Sequence, residues 1–108
     1  MGYEDILYSV EDGVAVITLN RPDRLNAWRG QMGLDVRSAM HRAAEDTAVS
    51  VIVLTGAGRG FCAGQDLAEV LPKDGEPMPD IAETVKKSYN PIIRAIRTLE
   101  KPVLCAVN

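Results

Sequence analysis

The sequence predicts an α/β domain in which an antiparallel hairpin feeds a sheet whose later strands run parallel. Three observations lead there. An Asp-Gly turn near the amino terminus separates two strand-like runs. Two continuous apolar runs, Val51-Ile52-Val53-Leu54-Thr55 and Val103-Leu104-Cys105-Ala106-Val107, have the composition of parallel strands buried on both faces. Segments of helical periodicity separate those runs, as right-handed crossovers require.

In chain order, Ile6, Tyr8 and Val10 alternate with polar or smaller neighbours, Glu11-Asp12-Gly13 supplies a turn, and Val14-Ala15-Val16-Ile17-Thr18-Leu19 is β-branched. Asn20-Arg21-Pro22-Asp23-Arg24 ends the second strand, because Pro22 removes a ladder donor. Met32, Val36, Ala39, Met40 and Ala43 recur at three- and four-residue steps, which predicts a helix with one apolar face that ends near Thr47. Asn26 is the N-cap candidate; Gly30 and Gly33 weaken the first turns by ~1 kcal/mol each relative to alanine.

After the first apolar run, residues 56–64 form a glycine-rich loop that opens onto a short helical segment, residues 65–71. Residues 72–80, with three prolines and no periodicity, predict a surface loop. Residues 81–98 read as helix, with a kink or restart at Asn90-Pro91. Lys101-Pro102 stops it before the last strand. A central parallel strand needs neighbours and a covering layer, so the predicted domain extends past Asn108.

Composition narrows the function. A chain of 108 residues, 46% hydrophobic and 25% charged, fits one globular domain at most. A net charge of −3 offers no excess of Lys and Arg for nucleic acid. No apolar run approaches the ~20 residues of a membrane span, and the amino terminus lacks the basic start and apolar core of a secretory signal. Cys62 and Cys105 make no disulfide framework and fit the reduced thiols of a cytoplasm. His41 is the only histidine, and no cysteines pair at zinc spacing, so no metal site is expected.

The glycine-rich loop invites three chemistries. A dinucleotide fingerprint starting at Gly56 requires glycine where Phe61 stands, and no Gly-Lys-Ser/Thr is present for a P-loop. No NAD affinity is therefore expected. Nucleophilic catalysis by Cys62 needs a base, and His41 lies in another segment beside Arg42; an inert core thiol and a solvent-facing histidine are the simpler assignments. The third is an oxyanion site. A glycine-rich turn entering a helix presents backbone N–H groups without intrahelical acceptors, and one fixed donor is worth about 3–4 kcal/mol of barrier. The structural alternative is that the glycines merely permit a tight strand-to-helix connection.

The stretch Val53-Leu54-Thr55-Gly56-Ala57-Gly58-Arg59-Gly60-Phe61-Cys62-Ala63-Gly64-Gln65-Asp66-Leu67 resembles the signature of the crotonase (enoyl-CoA hydratase/isomerase) superfamily. Asn20-Arg21-Pro22-Asp23-Arg24-Leu25-Asn26-Ala27 is similar to that family's early loop, and Lys101-Pro102-Val103-Leu104-Cys105-Ala106-Val107-Asn108 to a third block. Ala63-Gly64-Gln65-Asp66-Leu67, with Tyr89-Asn90-Pro91, is most similar to the ring-epoxide isomerases of bacterial phenylacetate degradation.

The resemblance implies the N-terminal part of a ClpP/crotonase-like spiral ββα fold over residues 1–108. By the same resemblance the Gln65 N–H is one oxyanion-hole donor, a role in which its side chain need not matter. Backbone at Ala63, Gln65, Asp66 and Leu67 contacts the adenine and pantetheine of coenzyme A. Arg24 and Leu25 lie along it, with Arg24 facing phosphates or, alternatively, carrying only a solvated charge. Leu67, Val70 and Leu71 read as core by helical spacing, with an acyl-pocket wall as the alternative.

Asp66 is implied to be structural, at a helix start, and neither Asp66 nor Glu69 is assigned to proton transfer. The second oxyanion amide and the proton-transferring acids are implied to lie beyond the last block. The expected function is hydration or isomerisation of an enoyl-CoA or related thioester through an oxyanion-stabilised enolate. No cofactor is expected other than coenzyme A within the substrate, and full-length relatives imply a trimer or a dimer of trimers. The rival expectation is a non-catalytic truncated product that keeps the sheet and binds coenzyme A at most weakly.

Overall fold

The structure, a computed structural model, describes residues 2–108. Strands β1 (Ile6–Glu11) and β2 (Val14–Leu19) form the hairpin, with Glu11 opposite Val14. Asp12 and Gly13 both take positive φ, 51° and 80°, the type I′ geometry whose twist matches the flanking strands. Strand β3 (Val51–Gly56) pairs parallel with β2, and β4 (Val103–Ala106) parallel with β3, giving the sheet order β1-β2-β3-β4. The predicted hairpin and parallel pairs are thus present.

Helix α1 (Gly30–Glu45) carries the β2–β3 crossover. Its Met32, Val36, Ala39, Met40 and Ala43 are buried against Ala15, Ile17, Leu19 and Ile52 on one sheet face, and this is the core. The helix begins later than the sequence suggests, and Asn26 does not cap it. Arg29 is the N-cap residue and its side chain makes no cap hydrogen bond. The Gly30 N–H donates instead to the Glu69 carboxylate (2.8 Å), a negative charge at the positive end of the helix dipole. At the other end Lys101 Nζ donates to the carbonyls of Ala43 (2.9 Å) and Asp46 (2.7 Å).

Burial of the parallel strands on both faces is not observed. Of β3 only Ile52 is fully buried, and Leu104 in β4 is 57% exposed. Side chains alternate across a strand, so Ile52 faces α1 while Leu7, Val16, Val53 and Leu104 share the opposite face. No helix of the described residues covers that second face.

Past β3, helix α2 (Leu67–Val70) is one turn long, and the 72–80 segment forms no regular element, as predicted. The predicted helix over 81–98 is continuous but not uniform. Helix α3 (Ile81–Thr84) runs through a π turn at Val85–Tyr89 into α4 (Asn90–Thr98). Pro91, in the first turn of α4, has no N–H to give and its ring crowds the carbonyl one turn back. A widened turn immediately before it relieves both constraints, and it replaces the predicted kink or restart. No helix of the described residues is long and apolar enough to cross a membrane.

Candidate functional site

Two loops that follow strands at one end of the sheet are stitched together by hydrogen bonds. The first comprises residues 20–28 and includes a 3-10 turn at Pro22–Arg24; the second comprises residues 57–66. Asn26, at φ 55° and fully buried, is the hub. Its Oδ1 accepts from the Arg21 N–H (2.7 Å), and its Nδ2 donates to the carbonyls of Ala57 and Gly60 (2.9 Å each). The Ala63 N–H donates to the Leu25 carbonyl (2.9 Å). Arg21 Nη1 reaches both the Ala27 carbonyl (2.7 Å) and the Asp66 carboxylate (3.0 Å).

The segment around Gln65 is extended and runs parallel to Trp28. The Trp28 N–H donates to the Gly64 carbonyl, and the Asp66 N–H to the Trp28 carbonyl, both at 2.7 Å. Amides alternate in direction along an extended chain, so the Gln65 N–H points away from Trp28. Among the described residues it has no hydrogen-bond partner. Gly64 reaches this path at φ 113°, a left-handed region closed to most side chains, although nothing lies within 4 Å of where a Cβ would sit. The glycine is therefore required by conformation, not by crowding.

Gln65 borders an apolar cavity of about 380 Å³ whose walls include Leu67, Leu71, Met78, Ile81 and Tyr89. Leu67 and Leu71 are 62% and 58% exposed, so the expectation of core positions is corrected: they wall the cavity. A one-turn helix is too short to bury its apolar residues against the sheet. No carboxylate lines this cavity among the described residues. Asp66 and Glu69 are both engaged elsewhere. Asp66 caps α2 by accepting from the Ala68 N–H (2.9 Å) while paired with Arg21, and Glu69 caps α1.

The Arg21 guanidinium, aided by the Ala68 N–H, holds the Asp66 carboxyl below its ordinary range. The unfolded chain therefore binds more protons than the folded one as pH falls below about 4. Asp66 contributes stability above that point and loses it as pH drops through its folded value. Urea midpoints measured between about pH 3 and 6 should fall on acidification, and Asp66→Asn should remove part of that dependence while lowering the neutral-pH midpoint. Burial pushes the Tyr89 phenol above its ordinary value, so the hydroxyl remains a donor at neutral pH.

The candidate residues Leu25, Ala63, Gln65, Asp66 and Leu67 thus meet at one end of the sheet, and Arg24 lies close enough that its charge also favours ionised Asp66. Arg24 is exposed. His41 is exposed on α1, and Cys62 is half-buried against the core with no hydrogen bond between them. Among the described residues, no group of three or more His, Cys, Asp and Glu side chains is arranged to hold a metal ion.

The Gln65 side chain, which need not matter to a backbone donor, is nonetheless engaged. Its Nε2 donates to the Trp28 carbonyl (3.0 Å) and its Oε1 accepts from the Tyr89 hydroxyl, while Trp28 and Tyr89 stack with ring centroids 6.2 Å apart. Trp28 carries no signal of a role in the sequence, and Tyr89 enters only through the likeness of Tyr89-Asn90-Pro91 to ring-epoxide isomerases; only the fold brings both to residue 65.

A mixed sheet with a glycine-bearing strand-to-helix connection, a peptide N–H without a partner among the described residues and an apolar cavity beside it is the setting in which the chain meets known proteins. It matches the enoyl-CoA hydratase/isomerase family over residues 9–108 and belongs to that family. Its fold is that of the N-terminal part of the crotonase fold. It is 45% identical to the 1,2-epoxyphenylacetyl-CoA isomerase of Escherichia coli (strain K12), over 97% of this chain and 40% of that protein. It is 38% identical to a 4-chlorobenzoyl coenzyme A dehalogenase of an Arthrobacter species, over 90% of this chain and 35% of the other. The crystal structure of an enoyl-CoA hydratase from Mycobacterium marinum superposes with a TM-score of 0.77 at 34% identity, covering 96% of this chain and 48% of that one. The chain spans about 40% of the length of the first curated relatives it matches. These likenesses bear out the superfamily resemblance and its lean toward ring-epoxide isomerases.

Proposed function

We propose that this chain supplies the coenzyme A-binding loops and one oxyanion donor of an enzyme that hydrates or isomerises an enoyl-CoA or related thioester. The observation that carries this reading is the Gln65 N–H, without a partner among the described residues and turned away from Trp28 beside an apolar cavity. A thioester carbonyl polarised by that donor gains stabilisation as charge builds on its oxygen in the enolate, worth about 3–4 kcal/mol for one fixed donor. The apolar cavity takes the acyl chain. Backbone at Ala63, Gln65, Asp66 and Leu67 and the loop bearing Arg24 and Leu25 take coenzyme A, which enters as part of the substrate with no other cofactor. The relatives with ring-epoxide and enoyl substrates favour an unsaturated or cyclic acyl group. The working protein is proposed to be a cytoplasmic trimer or hexamer.

By themselves the 108 residues are proposed to bind acyl-CoA without turning it over. The observation favouring this is that Asp66 and Glu69 are committed to capping and pairing, and no carboxylate faces the cavity among the described residues. Proton transfer then has no acid or base in place.

The test is an amide-resolved NMR titration with crotonyl-CoA alongside an absorbance assay for loss of the enoyl thioester. Binding is expected to shift the Gln65 amide resonance, and Arg24→Ala to weaken crotonyl-CoA and free coenzyme A alike by about three- to tenfold, the loss of one phosphate contact. No turnover is expected. Binding that leaves the Gln65 amide unmoved would remove the oxyanion assignment, and measurable turnover would remove the non-catalytic one.

A further inference from the structure

We propose that the Gln65 side chain and the Tyr89 hydroxyl form a positioning pair that sets the aim of the Gln65 N–H toward the thioester oxygen. This rests on the proposed oxyanion role of that amide and adds to it the device that holds the amide in place. Residue 65 follows Gly64, the most conformationally free point of the loop at φ 113°, and precedes a one-turn helix. The Gly64 carbonyl, in the same peptide unit as the Gln65 N–H, accepts from the Trp28 N–H, which holds that unit from one side. What restrains the peptide is a set of cross-links reaching residue 65 from two other elements.

From the first loop, the Trp28 carbonyl accepts both the Asp66 N–H and the Gln65 Nε2. From the far side of the cavity, the Tyr89 hydroxyl donates to Gln65 Oε1. Both ends of the carboxamide are therefore occupied by partners of the right polarity, which fixes its orientation as well as its position. Tyr89 is in turn held by stacking on Trp28, so Trp28, Gln65 and Tyr89 close a ring of contacts around the peptide that bears the free amide. The π turn at Val85–Tyr89 brings the tyrosine to this point, and turns of this kind concentrate at functional sites. A donor misaligned by a few tenths of an ångström loses much of its hydrogen bond, and rigid support of the donor is what separates a working oxyanion site from a merely present one.

A purely structural link would weaken every ligand alike. A positioning link weakens only ligands that carry the carbonyl oxygen. The experiment compares dissociation constants for crotonyl-CoA and for butyl-CoA, a thioether without that oxygen, on the 108-residue chain and its Tyr89→Phe and Gln65→Met variants. Circular dichroism checks the folding of each. The native chain is expected to prefer the thioester by about tenfold, the scale of one well-aligned hydrogen bond. In both variants that preference should fall to threefold or less, the crotonyl-CoA affinity dropping by more than any change the altered cavity wall makes to butyl-CoA.

A native preference that survives in either folded variant would overturn the proposal. So would equal weakening of both ligands, because Tyr89 would then be only a wall of the cavity. Absence of any thioester preference in the native chain would instead bring down the oxyanion reading itself, and the positioning role with it. If one variant fails to fold, the other decides.

Discussion

Replacing Gly56 by alanine is expected to destabilise the chain by about 3 kcal/mol, a large part of what a domain of this size possesses. A Cβ there would stand 2.5 Å from the Phe61 carbonyl oxygen and 2.8 Å from both the Gly60 carbonyl oxygen and the Phe61 Cα. All three are backbone atoms, so no side chain can swing aside. The residue is also pinned: its N–H donates to Asn108 Oδ1 (3.2 Å) and its carbonyl accepts from Asn108 Nδ2 (2.9 Å), as though the side-chain amide were one more peptide of β4. The only relief is displacement of residues 57–61, which would move the connection leading to Gln65. Urea unfolding monitored by circular dichroism measures the loss; a midpoint equal to that of the native chain would show that the loop does not pack on the end of β3 as described.

The second large effect is expected at Asn26. Asn26→Ala leaves the Arg21 N–H and the Ala57 and Gly60 carbonyls without their partner, in a shielded place and at a backbone angle that alanine tolerates poorly. At about 1–3 kcal/mol for each of the three groups left unsatisfied, the total is at least about 3 kcal/mol, enough to bring a small domain close to unfolding. Asn26→Asp makes a sharper comparison. It preserves shape and the acceptor for Arg21, but sets a carboxylate against two carbonyl oxygens. It should be at least as damaging at neutral pH and recover partly on acidification as the carboxyl gains a proton. Thermal unfolding at pH 7 and pH 4 distinguishes this from a general intolerance of the site, for which acid would bring no recovery.

Asn26 also marks where the sequence stopped being legible. An asparagine shortly before a helical pattern has the local chemistry of an N-cap, and the alternative depends on carbonyls more than thirty residues away. The caps of α1 escaped for the same reason: Glu69 and Lys101 serve the two ends of a helix to which neither is adjacent in sequence. By contrast, the hairpin, the α1 core face and the parallel strand pairing are written in short-range patterns, which the structure follows. Apolar runs report that a strand is suited to burial, and say nothing of what covers it; hence the exposed Leu104. In the site, the glycine-rich connection marks only a set of backbone donors, and it is the resemblance to the crotonase superfamily that singles out the peptide at residue 65. The contacts of Trp28 and Tyr89 with Gln65 are not legible because an aromatic residue beside helical periodicity has the signature of ordinary packing.

β4 has one neighbour, β3, and its outer edge carries a row of backbone donors and acceptors with no ladder partner among the described residues. The strand sequence Val103-Leu104-Cys105-Ala106 brings no charge or proline to discourage a visitor, and its apolar side chains lie largely open. An edge of that kind is a template for strand addition. Raising the concentration of the isolated chain therefore raises a competition between its own fold and intermolecular sheet growth, in which a lysine introduced on the outward-facing position of β4 would act as a gatekeeper against aggregation.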